Sequence, residues 1–291
     1  MAIVFRCERS HARHIGSSHP TRETQLTHGR DAELRERYVS GVRTEVAIAR
    51  IRADVAAAHA ELAQAGAIHA AGGAASGRIP GVDLFVISPA GIRVQDVAPE
   101  NLVLCDFDGS IVEGTPGSEG RPSGEHVLHA RVYAAQPDVA GIVSSGSPFA
   151  SAWAVRGEEI PCVLSSIAEQ FGGAVPIAPG EDDGEAGQTV AKLLDETRAR
   201  AVLLHQRGVL AVGSRVEEAV TLAAFTEEVA RIVHLARAQG PVEPLASDVI
   251  DRLYEIRQAG SGEAARPHAA ASAPRTSKST TEYRSKTKTS R

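Results

Sequence analysis

The sequence predicts an α/β fold in which a layered sheet carries helices on its faces and contains antiparallel strand pairs. Three observations point there. Short apolar runs alternate with longer stretches of helical period through the middle of the chain. Asp108-Gly109 joins two such runs as a hairpin turn, which requires an antiparallel pair. No internal repeat is present.

The elements follow in order. Asp31 to Ala65 is rich in helix formers, with Ile48, Ile51, Val55 and Leu62 on one apolar face and Gly66 as the C-cap. Leu84 to Ser88 is a strand closed by Pro89-Ala90-Gly91, and Leu102 to Phe107 is another that turns at Asp108-Gly109 into Ile111-Val112. Glu125 to Ala135 is a helix ended by Gln136-Pro137. Val139 to Val143 is a buried strand, followed by a helix over Pro148 to Arg156. Ala201 to Leu204 and Val209 to Val212 flank Gln206-Arg207-Gly208, and helices over Glu217 to Ala238 and Asp248 to Gln258 complete the pattern.

Both ends differ from this middle. Residues 1–29 hold His11, His14, His19 and His28 among Arg, Ser and Thr, and read as a disordered leader in which His11 and His14 bind metal only adventitiously. Residues 260–291 run to Ala, Ser, Thr and Pro and then to Lys278, Arg284, Lys286, Lys288 and Arg291, a disordered basic tail. Residues 30–259 form the expected domain. Aromatic residues make up 4% and the formal charge is -5, so neither a stacking platform nor a general field for nucleic acid is expected. Cys7, Cys105 and Cys162 are widely spaced and odd in number, which fits buried thiols in a reducing compartment. No run is long and apolar enough for a membrane span, and no apolar leader marks a signal peptide. The expected compartment is the cytoplasm.

Several segments carry a resemblance at fixed relative positions. Asp83 to Gly91 is similar to a strand-and-turn signature "fvIkPSG", Val97 to Val103 to "lTPEnlv", and Asp106 to Gly114 to "DlDGnvveG". Pro122-Ser123-Gly124-Glu125 with His129 corresponds to "PSSDxxxH", and Gly208 to Gly213 with Glu217-Glu218-Ala219 to "HGvlavGxxxeeA". Gly157 to Val163 and Phe171-Gly172 add to the match, which runs from about Arg35 to Gln258. Together they resemble the class II aldolase/adducin family, in its L-ribulose-5-phosphate 4-epimerase and L-fuculose-phosphate aldolase branch. The resemblance implies a three-layer α/β/α fold with a central, mainly antiparallel sheet. It also implies homotetramers, phosphorylated sugar substrates, and a zinc or similar divalent ion that stabilises an enediolate.

The site positions depart from that pattern. The first two metal-binding histidines fall on Ser144 and Gly146, and the third falls on Arg207, a permanent cation that repels a metal. His205 lies two residues away as a conceivable displaced ligand. The phosphate turn "SGN" has become Gly72-Gly73-Ala74, "PSG" has Ala90, and "SS" has Gly124. Ser76, Ser123 and the backbone of Gly73 remain as ligand-binding candidates. Glu125 stands at the family's acidic position and is the candidate general acid or base; the competing reading makes it a helix-terminal carboxylate with Ser123 as cap. Glu169 falls where the epimerase branch carries a catalytic aspartate. His126 and His129, at i and i+3, could share one ion, although a surface or half-buried structural role is the alternative. Arg207 could bind a carboxylate or phosphate, or pair with Glu125 in place of the metal's charge.

The expectation is a non-catalytic binding or partner subunit without a cofactor, assembling with itself or with an intact relative and able to take a small phosphorylated or carboxylated ligand. The alternative is an active, zinc-dependent sugar-phosphate aldolase or epimerase with a remodelled site.

Overall fold

The computed structural model describes residues 22–65, 73–113, 120–179 and 182–261. The helix α1 spans Arg22–Gln64, starting nine residues before the expected Asp31. Contacts divide the chain after Val46. The first unit, in its described part, is the beginning of α1, on which Val42 and Val46 are exposed.

The second unit holds the sheet. Its strands are β1 (Gly73–Arg78), β2 (Leu84–Ile87), β3 (Val103–Asp106), β4 (Ile111–Glu113), β5 (Gly141–Ser145), β6 (Ile177–Ala178), β7 (Ala201–Leu204) and β8 (Gly208–Gly213). They lie in the order β4-β3-β2-β1-β5-β8-β7-β6. Every pair is antiparallel except β6 with β7. The helices are α2 (His126–Ala135), α3 (Pro148–Arg156), α4 (Ser165–Phe171), α5 (Asp183–Glu196), α6 (Val216–Arg237) and α7 (Ser247–Ser261). The expected disordered ends thus fall mostly outside the described residues; where they are described, 22–29 and 260–261 are helical.

Side-chain alternation along each strand builds two cores, one per sheet face. Ala75, Val86, Val143, Val209 and Ala211 face α1, α3, α4 and α6, packing with Val55, Leu62, Trp153, Ile167 and Val220. Phe85, Cys105, Ile142, Leu204 and Leu210 face α2 and α5, packing with Leu128, Tyr133, Val190 and Leu194. Burial pushes the Cys105 thiol up to about 12, with the Asp106 charge adding to it, and burial pushes Cys162 up to about 11; both are inert core groups. The result is a three-layer α/β/α fold.

Three elements lie outside those read from the sequence: β1, α4 and α5, along with the two-residue β6. The β1 sequence Gly-Ala-Ala-Ser-Gly-Arg has little strand propensity. It is a strand because β2 and β5 bond it from both sides, with Ser76 opposite Ile87 and Ile142. Gly77 lets the helices close over it. A Cβ there would stand 2.6 Å from Ile51 Cγ2 and 2.9 Å from Val216 Cγ2.

Candidate functional site

The candidate site lies where β5 and the β7–β8 turn meet the starts of α2 and α5. The turn runs His205-Gln206-Arg207, with Arg207 N–H donating to the Leu204 carbonyl at 2.9 Å. Gln206 adopts φ 60°, the left-handed region that suits Gly or Asn. Gly208 follows at φ 148°, and a Cβ there would fall 2.2 Å from the Ser145 carbonyl oxygen. This tight passage under β5 fixes the direction in which Arg207 leaves the sheet.

The Arg207 guanidinium is held by two carboxylates. One amino group donates to Asp183 Oδ1 at 2.6 Å and the other to Glu125 Oε1 at 3.1 Å. Burial works most strongly against the charge of Arg207, but the Asp183 bond and the two negative charges more than offset it and hold the group above its ordinary range. Glu125 sits at the α2 cap position and makes no side-chain capping bond. Its carboxylate serves Arg207, and its Oε2 is buried without a hydrogen-bond partner. Ser123 accepts a long 3.4 Å bond from the Glu125 N–H, so the expected cap at Ser123 is replaced by a backbone turn that closes through the Ser123 carbonyl to His126. Asp183 is in the first turn of α5, whose N-cap Asp182 accepts from Gly184 and Glu185 N–H.

Behind the ion triad runs a buried hydrogen-bonded row. Ser144 Oγ lies 2.8 Å from His129 Nε2, His129 Nδ1 lies 2.8 Å from Ser76 Oγ, and Ser76 Oγ lies 2.8 Å from the Tyr133 hydroxyl. Desolvation pushes His129 down to about 3, against a smaller opposing pull from Asp183. The ring is therefore neutral at physiological pH, with both nitrogens engaged by hydroxyls.

A cavity of about 370 Å³ opens between these groups, lined by Gly73, Glu125, Ser144, Gly146, Ser151 and Arg207 among others. The structure thus brings together Glu125, Arg207, Gly73, Ser144 and Gly146. It does not bring the other candidates to the cavity. Ser76 is fully buried and its hydroxyl is spent on His129 and Tyr133. Ser123 and Glu169, the latter on α4, are not in the lining. His126 donates from Nδ1 to the Ser123 carbonyl at 2.9 Å, while His129 is buried rather than at the surface, so the two rings do not converge on one ion. His205 packs beside Gly157 at the end of α3 and is no displaced ligand in the cavity. Gly72 lies outside the described residues.

A zinc site does not fit this donor set. Hydroxyl, glycine and guanidinium stand at the three family positions, and both nearby carboxylates already serve Arg207. Among the described residues no three His, Cys, Asp or Glu side chains converge to hold a metal. Asp183 escapes sequence reasoning because it is 24 residues from its partner. The only signal for it is the acidic pair Asp182-Asp183 opening an amphipathic run over Ala186, Val190 and Leu194.

The chain belongs to the family described as class II aldolase and adducin N-terminal domain, whose model matches residues 53–234, more than half of its length. Among solved structures it is similar to an L-fuculose 1-phosphate aldolase at 25% identity and TM-score 0.65, covering 71% of this chain and 95% of that one. It is similar also to the l-fuculose-1-phosphate aldolase of Thermus thermophilus at 27% identity and TM-score 0.55, covering 65% and 96%. The L-fuculose 1-phosphate aldolase of Glaciozyma antarctica, at 20% identity, TM-score 0.62 and coverage of 77% and 94%, shares the fold. Among the described residues no helix is long and apolar enough to cross a membrane.

Proposed function

We propose that this chain is a non-catalytic member of the family, a binding or partner subunit that has given up zinc-dependent sugar-phosphate chemistry. One observation carries the reading: the Arg207 guanidinium is bound between Glu125 and Asp183. A fixed monovalent cation pairs with both carboxylates and offsets part of their charge, but it offers no open coordination position to polarise a carbonyl oxygen. Glu125, as the remaining general acid or base, is committed to that pair. Assembly in the cytoplasm with copies of itself, or with a relative that keeps its histidines, suits such a role.

The competing reading is an active aldolase or epimerase, favoured by Glu125 still lining the cavity. Retro-aldol turnover of L-fuculose 1-phosphate, followed with and without added zinc, separates the two. The proposal expects no enzyme-dependent turnover in either condition. Zinc-dependent turnover that vanishes in Glu125→Gln overturns it.

A further inference from the structure

Among the described residues, the groups that would grip an anion in the cavity are already occupied by the protein itself. Arg207 is outnumbered two to one by Glu125 and Asp183, leaving the cluster with an excess negative charge. The N-terminus of α3, between the lining residues Gly146 and Ser151, would be a natural anion site. It is filled by Glu227, whose carboxylate accepts from the N–H groups of Phe149 at 3.0 Å and Ala150 at 2.8 Å. Ser76, which the sequence offers as a phosphate donor, is spent inside the core. His129 is neutral.

What remains is hydroxylic. Ser151 lines the cavity and its Oγ has no hydrogen-bond partner; one turn earlier the fully buried Ser147 also has an unpartnered Oγ. Ser144, whose Oγ is bonded to His129, and Ser145 line the same wall. Serine hydroxyls both donate and accept and reorient about a single torsion, so they match ligand hydroxyls of either polarity.

We infer that this cavity takes a small uncharged polyhydroxylated compound and discriminates against the phosphorylated form. The inference rests on Arg207 being the internal countercharge of Glu125 and Asp183, as in the reading above. A phosphate group would meet excess negative charge and no free cation among the described residues of the lining, whereas a polyol satisfies the unpartnered Ser151 hydroxyl at no electrostatic cost.

Calorimetric titration of the full chain with sorbitol and L-fuculose, each against its phosphate ester, tests it. The control is Gly146→Leu, at a lining position where an added Cβ meets no atom within 4 Å, so that the larger side chain competes with a ligand for the cavity. The expected result is saturable polyol binding, phosphate esters at least about ten-fold weaker, and loss of polyol binding in the variant. Phosphate esters binding as well or better, no polyol binding, or polyol binding that survives Gly146→Leu each overturns the inference. The non-catalytic reading stands or falls separately, on the turnover assay.

Discussion

Replacing Arg207 by alanine removes the only positive charge of the triad and leaves Glu125 and Asp183 without their shared partner. Both bonds are then lost, at 3.1 and 2.6 Å, and Glu125, whose Oε2 already lacks a partner, loses the partner of Oε1 as well. Breaking a fully buried pair by removing one member costs about 3–5 kcal/mol, and a surface pair about 0–1 kcal/mol. Here the three side chains are 25%, 23% and 26% exposed. The cost should lie between those limits, at about 2 kcal/mol, which corresponds to a fall in Tm of about 4–8 °C for a chain of this size. Thermal unfolding by circular dichroism, without ligand, reads it. The mechanism makes a second, sharper demand: adding Glu125→Gln and Asp183→Asn to Arg207→Ala should recover part of the loss, because the stranded charges go with the cation. An Arg207→Ala protein as stable as the parent refutes the reasoning. So does a triple variant that is less stable than Arg207→Ala alone.

Three further outcomes follow from the geometry. Gly77→Ala should destabilise by about 1–3 kcal/mol in denaturant unfolding, since the new methyl drives into Ile51 and Val216. Gln206→Asn should stabilise by about 0.5 kcal/mol, because asparagine tolerates the φ of 60° better without adding freedom to the unfolded chain. For His129, the folded ring stays neutral down to about 3 while the unfolded ring protonates near 6.5, so its stabilising contribution is full above pH 6.5 and drains as pH falls towards 3. The parent should lose about 1.4 kcal/mol per pH unit in that window relative to His129→Gln, measured by unfolding titrations at stepped pH.

The sequence displays the fold through its periodic segments. The apolar face of α1, the Asp108-Gly109 hairpin and the helix over Pro148–Arg156 are where local pattern and tertiary packing agree. It conceals β1, whose residues become a strand only through their neighbours, and for the same reason it misplaces Ser76. In an extended segment a serine is equally legible as a ligand donor or as a core hydroxyl, and only Tyr133 and His129, more than 50 residues away, decide it. The pairing of Arg207 with Glu125 is legible because a permanent cation and a carboxylate fall at positions that the resemblance places around one site. Asp183 is not, since charge balance names a need for carboxylates without naming which helix start will supply them.

Arg207, bonded to both Glu125 and Asp183, leaves no place for a metal ion between them. Zinc quantification by mass spectrometry of the protein purified from zinc-supplemented cells tests it most directly, with the Arg207→His variant alongside. The parent protein should carry well under one zinc per chain. Near-stoichiometric zinc that survives dialysis would contradict it.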